Sequence, residues 1–205
     1  MDILNLLFPK ICLNCKTPGK YICSLCLAKV PDGGWNQKKI YSLWKYDGVI
    51  RKAILALKYK FALQIAQELS DVSCAKLKML NNKYFLKNTV LIPVPLHTKR
   101  HKWRGFNQAE EVGRGIAFGM GWRFELNLII KIGASKPQAE LARKDRLRNL
   151  SGKFAVNPAS KGKIDPCSTY LIFDDVATTG STIKEITKVL KRNGAKEVYG
   201  LTIAG

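Results

Sequence analysis

The fold is decided by one stretch of the chain, Tyr170-Leu171-Ile172-Phe173-Asp174-Asp175-Val176-Ala177-Thr178-Thr179-Gly180-Ser181-Thr182. It opens with four apolar or aromatic residues, as a buried strand does, and it ends where a helix over 181–192 is predicted. Two adjacent carboxylates and a turn of small, hydroxylated residues lie between the two elements. Open α/β sheets bind ligands at the carboxyl ends of their strands. The stretch therefore predicts a ligand site at a strand-to-helix turn.

The turn after the two acids has the chemistry of a phosphate site. The first N–H groups of a helix lack internal partners and carry the positive end of its dipole, so they attract anions. Gly180 lets the backbone approach a phosphate closely. Further donors are the side-chain hydroxyls of Thr178, Thr179, Ser181 and Thr182. The carboxylates of Asp174 and Asp175 can accept hydrogen bonds from the vicinal hydroxyls of a sugar that is attached to this phosphate. Helix capping explains one Asp or Thr, but not this whole set. Without a Gly-Lys-Ser/Thr, the turn is not a P-loop.

Strands and helices alternate along the rest of the chain. Strands are predicted over residues 40–44, 89–92, 126–132, 169–173 and 198–203, and helices over 49–57, 62–80, 107–118 and 181–192. Pro93 and Pro95 are expected beyond the strand that ends at Ile92, because proline cannot donate to a ladder. The run Pro31-Asp32-Gly33-Gly34 is interpreted as a turn and a domain boundary. The alternation predicts an α/β fold with a mostly parallel central sheet.

Four cysteines lie close together near the start of the chain, in the pattern Cys12-x₂-Cys15-x₇-Cys23-x₂-Cys26. Each pair presents two thiolates to one tetrahedral ion, so the spacing predicts structural Zn²⁺ with no open position for catalysis. The metal would supply folding free energy to a segment that is too short for a core. Redox disulfides are the alternative. We expect a zinc-binding module over 1–34 and the larger domain over 35–205.

The charge of the chain is strongly basic. Its 205 residues include 35 Lys and Arg and 15 Asp and Glu, so the net charge is +20. Such an excess favours polyanionic partners such as nucleotides, phosphosugars or nucleic acid, and a solvated basic surface is the alternative. No apolar run is long enough to insert into a membrane, and the first residues lack the pattern of a signal peptide. We therefore expect a cytoplasmic protein.

Further blocks are spread along the chain. They are Leu57-Lys58-Tyr59, Pro93-Val94-Pro95-Leu96-His97, Arg104-Gly105-Phe106-Asn107-Gln108, Lys136-Pro137-Gln138, and the residues Leu141, Arg143, Arg146, Asn149, Gly152 and Phe154. Together with the four cysteines and the two acids, these blocks resemble the ComF family of competence-associated proteins (ComFC type). The acidic stretch alone is similar to the 5-phosphoribosyl-1-pyrophosphate (PRPP) motif of type I phosphoribosyltransferases. The resemblance implies a type I phosphoribosyltransferase fold behind an N-terminal zinc finger.

The resemblance also implies roles in binding PRPP, with Mg²⁺ on its pyrophosphate. The ribose hydroxyls would be held by Asp174 and Asp175. The 5-phosphate would be held by Ala177, Thr178, Thr179, Gly180, Ser181 and Thr182. The pyrophosphate loop would comprise Pro93, Val94, Pro95, Leu96 and His97. Lys99 and Arg100 follow this loop as candidate cations for the pyrophosphate, and a solvated helix start or a nucleic-acid patch are the alternatives for them. A mobile loop, or hood, over 136–153 would carry Gln138, Arg143 and Arg146. No residue stands out as a catalytic base.

Three functions stay open for such a chain. It is a phosphoribosyltransferase with an unidentified acceptor, a sensor of PRPP without turnover, or a single-stranded DNA-binding protein. ComF relatives are tied to natural transformation, which implies a role in DNA uptake or nucleotide handling and competence or DNA-processing proteins as partners. In the last case Trp44, Trp103, Phe106 and Trp122 are candidate surfaces for base stacking. The alternative is that these aromatic residues belong to the core, as aromatic residues at such positions more often do. Glutamine-dependent amine transfer is not expected, because no glutaminase-sized region is present.

Overall fold

The computed structural model of the chain describes residues 9–57, 62–80, 88–96, 107–132 and 152–205. Its helices are α1 (Ser24–Leu27), α2 (Gly48–Ala56), α3 (Ala62–Met79), α4 (Gln108–Met120) and α5 (Ser181–Arg192), with a 3₁₀ turn at Pro158–Ser160. Its strands are β1 (Asp32–Trp35), β2 (Ile40–Trp44), β3 (Thr89–Pro93), β4 (Arg123–Phe124), β5 (Ile129–Lys131), β6 (Phe154–Val156), β7 (Thr169–Val176) and β8 (Glu197–Ala204). None of these helices has the length and hydropathy needed to cross a membrane.

Six of the described strands form one sheet, in the order β1-β2-β8-β7-β3-β4. Every neighbouring pair from β2 to β4 is parallel, and β1 joins the edge of the sheet antiparallel to β2. The strands β5 and β6 form a separate antiparallel pair. The predicted α/β fold with a mostly parallel central sheet is therefore confirmed.

Alternate residues of β7 pack on opposite faces of the sheet, as the period of a strand requires. Leu171 and Phe173 belong to a core cluster that includes residues of α2, α3 and α4. Tyr170 and Ile172 belong to a second cluster that includes residues of α5, β5 and β6. Both faces of the sheet are thus covered, which explains why the strand is apolar without interruption. The same alternation assigns Asp174 to the α5 face.

The residues 32–35 form the edge strand β1, whereas the sequence indicated a turn there. Gly33 explains the difference. A Cβ on Gly33 would lie 2.0 Å from the Ser42 carbonyl oxygen on β2, so only glycine lets the two backbones approach this closely. The glycine is therefore required by strand pairing and not by a turn.

Two further elements differ from their predictions. The strand expected over 126–132 is confined to Ile129–Lys131, and it pairs with β6, which no sequence pattern indicated. Short strands in a two-stranded ribbon bury few side chains, so they leave a weak periodic signal. Both strands pack on the α5 side of the sheet through Ile129 and Phe154.

Pro93 is the last residue of β3, although the sequence placed it past the end of the strand. The Leu91 carbonyl accepts the N–H of Glu125 on the β4 side, and the Val94 N–H donates to the Phe173 carbonyl on the β7 side. By alternation, the missing N–H of Pro93 faces the β4 side, beyond the end of β4. The proline therefore removes no ladder hydrogen bond, which is the usual condition for proline in a strand.

The cysteine segment packs on the larger part of the chain. The Ile22 N–H donates to the Glu68 carboxylate over 2.9 Å, and the Tyr21 hydroxyl donates to Gln64 over 3.0 Å. Ile22 and Val30 are buried in the same core cluster as residues of α2 and α3. The boundary at residue 34 remains a prediction, but this shared core shows that the segment and α3 contact each other.

Candidate functional site

The two predicted ligand loops lie side by side at the carboxyl edge of the sheet. β3 and β7 are parallel neighbours, with Pro93 in register with Phe173. The Val94 N–H donates to the Phe173 carbonyl over 2.8 Å, directly before Asp174. The segment 93–96 therefore begins beside the acids, as a loop that faces the same ligand must. His97, Lys99 and Arg100 lie outside the described residues.

Asn107 fixes the start of that loop. Its side-chain Nδ2 donates to the Val94 carbonyl over 3.1 Å, and its Oδ1 accepts the Ala109 N–H over 3.1 Å as the N-cap of α4. Asn107 is buried, so the nitrogen and the oxygen of its side-chain amide both need these hydrogen-bond partners. An Asn directly before a helix signals a cap. Nothing in the sequence signals that the same amide holds a loop from another strand.

An open cleft lies at the turn between β7 and α5. Its lining includes all six residues predicted to hold the 5-phosphate: Ala177, Thr178, Thr179, Gly180, Ser181 and Thr182. The N-cap of α5 is Gly180, which has no side chain to cap the helix, and the first turn contains no acidic residue. The positive end of the helix dipole is therefore not neutralised by capping or by an acid of its own first turn.

Hydroxyl groups organise this turn. The hydroxyls of Thr179 and Ser181 lie 2.9 Å apart in a hydrogen bond, and the Ser181 N–H is 3.4 Å from the Thr179 hydroxyl oxygen. The Ala177 N–H donates to the Ala204 carbonyl over 3.0 Å and so anchors the start of the turn to β8. The cleft thus presents hydroxyls and helix N–H groups, a combination that suits an oxyanion.

The two acids differ in their surroundings. Asp174 is half-buried and lines the cleft, and Asp175 lies outside that lining. Asp174 accepts the Asp175 N–H over 2.9 Å, and Asp175 accepts the Val176 N–H over 2.8 Å. Burial raises the pKa of the Asp174 carboxyl well above its usual value, and the adjacent Asp175 carboxylate raises this pKa further. No salt bridge found within the described residues involves either acid.

A lysine that the sequence did not mark reaches the same turn. Lys38 lies between β1 and β2, and its Nζ donates to the Thr179 carbonyl. The Asn36 side chain accepts the N–H groups of Lys38 and Ile40 over 2.9 and 3.1 Å, which fixes the shape of this hairpin turn. The contact joins residues 141 positions apart. Only the pairing of β2 with β8 brings them together, so no local pattern could have indicated it.

The backbone of Gly180 gives a first testable prediction. Its φ of +63° is left-handed, and an added Cβ would lie 2.5 Å from the Ile40 Cδ1. We expect Gly180→Ala to lower the free energy of unfolding by about 2–3 kcal/mol, from backbone strain and overpacking together. The measurement is thermal unfolding of the variant beside the parent chain.

Gly162→Ala is the matched control for this substitution. Gly162 has a φ of +83°, and a Cβ there would meet nothing within 4 Å. The control therefore isolates the strain of the backbone from the contact with Ile40. Equal losses of stability in the two variants would contradict a packing role for Gly180.

The base of the predicted hood lies against α5. The Gly152 N–H donates to the Glu185 carboxylate over 3.2 Å, and the Ile132 N–H donates to the Lys153 carbonyl over 2.8 Å. Residues 133–151 connect these two ends and lie outside the described residues, with Gln138, Arg143 and Arg146 among them. The described residues on either side of this segment therefore lie close together, and one of them, Gly152, contacts the helix whose first turn lines the cleft.

The four cysteines of the N-terminal segment converge. The Sγ atoms of Cys12, Cys15, Cys23 and Cys26 all lie within 4.8 Å of one another, and those of Cys15 and Cys23 are 3.6 Å apart. Four thiolates around a zinc ion at about 2.3 Å would be separated by about 3.8 Å. The Lys16 N–H donates to the Cys12 carbonyl, and Lys16 has a left-handed φ of +67°, which closes the first turn of the cluster. These four side chains can hold a metal ion.

Neighbouring polar groups contact sulfur atoms of this cluster and favour a thiolate at Cys15. The Asn14 Nδ2 donates to the Cys26 Sγ over 3.4 Å, and the Asn14 Oδ1 accepts the Lys52 ammonium over 2.8 Å. Hydrogen bonds from the side chain and backbone of Thr17 lower the pKa of the Cys15 thiol to about 6. Such supporting contacts orient ligands and stabilise their charge. A backbone hydrogen bond from Cys26 lowers the pKa of Cys23, but burial and the other three thiols outweigh it and raise this pKa to about 12.

The two described aromatic residues among those proposed for base stacking do not form an exposed aromatic surface. Trp44 is 3% exposed and belongs to the core on β2, so that expectation was wrong. Trp122 is partly buried and packs against the same core cluster. Trp103 and Phe106 lie outside the described residues.

The fold and the site define an α/β protein with a candidate anion site at the carboxyl edge of a parallel sheet. No family model matches the sequence. DNA utilization protein YhgH of Salmonella typhimurium is 30% identical over 192 residues, which cover 92% of this chain and 81% of the relative. Competence protein F of Haemophilus influenzae is 29% identical over 201 residues, which cover 94% of this chain and 84% of the relative. The chain belongs to the ComF family.

Solved structures similar to the chain include phosphoribosyl-transferring proteins. Glutamine PRPP amidotransferase from B. subtilis, complexed with ADP and GMP, has a TM-score of 0.44 and 17% identity. The match covers 69% of this chain and only 27% of the amidotransferase. Adenine phosphoribosyltransferase from Leishmania tarentolae has a TM-score of 0.41 and 15% identity, over 78% of this chain and 62% of the other.

Proposed function

We propose that this chain binds PRPP in the cleft between β7 and α5 and acts as a phosphoribosyltransferase. One observation carries the proposal. Asp174 lines the same cleft as the uncapped first turn of α5, so an acceptor for sugar hydroxyls and a cradle for a phosphate face one space. A phosphorylated pentose carries both sugar hydroxyls and a phosphate in one molecule.

Each part of the site has a role in this proposal. The N–H groups and hydroxyls of 177–182 hold the 5-phosphate. Asp174 and Asp175 accept the ribose hydroxyls, and charged acceptors make such hydrogen bonds strong. The pyrophosphate lies toward Pro93–Leu96, next to β7, with His97, Lys99 and Arg100 following along the chain. Gln138, Arg143 and Arg146 belong to the segment that would close over it.

The leaving pyrophosphate determines which charges the reaction needs. Mg²⁺ bound with PRPP would neutralise developing negative charge on the pyrophosphate. The adjacent carboxylates of Asp174 and Asp175 are the described anionic groups that would face the positively charged ribose carbon as the bond breaks. No described residue is placed as a base for the acceptor. Turnover distinguishes this enzyme from a PRPP sensor on the same fold.

The cysteine cluster completes the proposal as a structural Zn²⁺ site. Four converging thiols with hydrogen-bonded support match the donor set that zinc prefers. All four positions around the ion would be occupied by sulfur. The metal would therefore stabilise the N-terminal segment and take no part in transfer.

Binding of single-stranded DNA is a second candidate function. The net charge of +20 favours it, and so do the names of the relatives, one a DNA utilization protein and one a competence protein. We place the protein in the cytoplasm, in the handling of incoming DNA or its nucleotides, with other competence proteins as partners. Binding of an oligonucleotide that weakens steeply with salt would support this candidate.

Calorimetric titration tests PRPP binding. We expect saturable binding of PRPP to the intact chain in the presence of Mg²⁺, and affinity at least tenfold weaker when Mg²⁺ is withheld, because the pyrophosphate charge is then unscreened. Free pyrophosphate appearing when candidate acceptors are added would establish transfer. A chain that gives no heat with PRPP and Mg²⁺, and that PRPP does not protect against thermal unfolding, does not have the proposed function.

A further inference from the structure

Two side chains next to the start of β2 contact the turn that leads into α5. The Lys38 Nζ donates to the Thr179 carbonyl. Beside this contact, a Cβ added to Gly180 would lie 2.5 Å from the Ile40 Cδ1 and 3.5 Å from the Lys38 Cδ. The hairpin turn that carries both side chains is closed by the Asn36 side chain, which accepts the N–H groups of residues 38 and 40. Lys38 therefore reaches the Thr179 carbonyl from a turn that is itself held in shape.

The hydrogen bond from Lys38 determines which way the Thr179–Gly180 peptide faces. All described peptide bonds are trans, so the Gly180 N–H points to the side opposite the Thr179 carbonyl. Thr179 and Gly180 line the cleft, whereas Lys38 lies outside that lining. Of the hydrogen bonds found within the described residues, none uses the Gly180 N–H. With the carbonyl held by Lys38, this N–H is directed away from Lys38 and is left for a ligand in the cleft.

Glycine at position 180 makes the opposite orientation of the peptide accessible as well. A half-turn of the peptide plane would change the φ of Gly180 from +63° to a negative value, and glycine adopts both signs of φ readily. The flipped peptide would present the Thr179 carbonyl to the cleft, where its partial negative charge repels an anion. The charge-assisted hydrogen bond from Lys38 stabilises the orientation that presents the N–H instead.

From these contacts we infer that Lys38 is a positioning residue of the phosphate turn, which holds the Thr179–Gly180 peptide with its N–H toward the cleft before a ligand binds. The inference rests on the phosphate assignment of the proposed function and adds a residue that no sequence pattern marked. Lys38 acts through this peptide and does not touch the anion. Because helix N-termini bind anions through backbone N–H groups, a donor that is already oriented strengthens binding.

Binding of ribose 5-phosphate, which has the phosphomonoester without the pyrophosphate, tests the effect on affinity. We expect Lys38→Met to weaken this binding about fivefold, since only molecules whose peptide presents the N–H are competent. Lys38→Arg should restore the affinity of the parent chain, because it keeps a long, charged donor. Lys39→Met is the control for net charge and should bind as the parent chain does, since the Lys39 ammonium lies over the Tyr199 ring, 5.5 Å from its centre. Thermal unfolding checks that the variants are folded.

A label on one peptide measures its orientation without any ligand. Gly180 is the only glycine of the chain that follows a threonine. Threonine labelled with ¹³C at its carbonyl carbon, together with ¹⁵N-glycine, therefore gives a single signal in an NMR spectrum that selects bonded ¹³C–¹⁵N pairs. The three-bond couplings between the amide proton and the two α protons of Gly180 then report its φ.

We expect these couplings to fit a φ near +63° in the parent chain and in Lys39→Met. In Lys38→Met they should average over the two orientations, and saturating ribose 5-phosphate should return them to the parent values. Unchanged couplings in Lys38→Met would overturn the inference. Changed couplings with an unchanged affinity for ribose 5-phosphate would overturn it as well, because the orientation of the peptide would then not govern binding.

The same measurements distinguish this inference from the proposed function. If ribose 5-phosphate binds and Lys38→Met weakens its binding, but PRPP with Mg²⁺ does not bind, the proposed function fails and the role of Lys38 stands. If PRPP binds and Lys38→Met changes neither the affinities nor the couplings, the role of Lys38 fails alone. If the parent chain binds neither ligand, both are overturned.

Discussion

Replacing Asp174 and Asp175 together by asparagine is expected to weaken PRPP binding about 100-fold while the protein stays folded. Hydrogen bonds to charged groups contribute about 1.5–3 kcal/mol each and neutral ones about half as much. Asparagine keeps an oxygen that can accept the backbone N–H groups of residues 175 and 176, so the local geometry survives. Most of the loss should come from Asp174, because that side chain lines the cleft.

The same substitution at residue 174 should make the free protein more stable at neutral pH. Burial and the Asp175 carboxylate raise the pKa of Asp174 in the folded state. The folded state then binds more protons than the unfolded state between the usual Asp pKa and the raised one, so stability falls as the pH rises through that window. Asp174→Asn removes this loss, so the melting temperature of this variant at neutral pH should lie above that of the parent chain.

Asp71→Asn is the matched control for both effects. Asp71 is an exposed acid on α3 that accepts a hydrogen bond from Gln67 and lies on the other face of the sheet from α5. It should leave both the PRPP affinity and the melting temperature at neutral pH as they are in the parent chain. If Asp174→Asn lowers the melting temperature at neutral pH, ionised Asp174 does not destabilise the free protein. If the double variant binds PRPP as the parent chain does, the two acids do not bind PRPP.

The site was predictable from the sequence to the extent that it is local. An apolar strand, two acids and a small-residue turn before a helix are consecutive, so their spacing alone places the turn at the end of β7. The residues brought by other strands were not predictable in this way. Lys38 reaches Thr179 only because β2 pairs with β8, and Asn107 reaches Val94 only because α4 packs beside β3.

The fold shows the same division between local and distant causes. Long amphipathic or fully apolar elements such as α5 and β8 match their predicted ranges closely, because their side chains carry a clear period. The edge strand β1 was interpreted as a turn, since Gly33 and Gly34 favour turns when considered alone. The reason for Gly33 lies across the hairpin at Ser42, where a side chain would meet the carbonyl. Glycine composition cannot distinguish a turn from such a close approach.

The pair of acids shows where a sequence motif needs the structure. Asp174 and Asp175 are equivalent in the sequence pattern, but alternation along β7 gives them different surroundings. Asp174 follows Tyr170 and Ile172 on the α5 face, where the helix start and the cleft lie. The expected difference between the two single asparagine variants follows from this placement.

Loss of metal from the cysteine cluster is the second large effect that we expect. The purified chain should contain one zinc ion, and Cys26→Ser should release it and destabilise the protein by on the order of 5 kcal/mol, because metal binding supplies folding free energy to a segment without its own core. This corresponds to a fall of about 10 °C or more in melting temperature for a chain of this size. Metal analysis and thermal unfolding measure the two effects, and a strong chelator should reproduce them in the parent chain.

Cys167→Ser is the matched control, because Cys167 is exposed and lies outside the cluster. It should keep the zinc and the melting temperature of the parent chain. If the native protein contains disulfides among the four clustered cysteines, thiol counting will find fewer free groups, and a chelator will leave the melting temperature unchanged. These two results together would show that the cluster is a redox site and not a zinc site.

The destabilisation on metal loss should spread beyond the cysteine segment. Cys12 and Cys26 are buried in the core cluster that includes α2 and α3, and the Ile22 N–H is bound by Glu68 on α3. Removing the ion would weaken the contact between the cysteine segment and α3. We therefore expect α3 to lose protection in hydrogen exchange, while β7 and α5 keep theirs. Ribose 5-phosphate should then still bind to the chelated protein below its melting temperature, because α5, whose first turn lines the cleft, packs on the other face of the sheet from α3. Equal loss of protection in α3 and α5 would instead show that the zinc module and the phosphate site unfold as one unit.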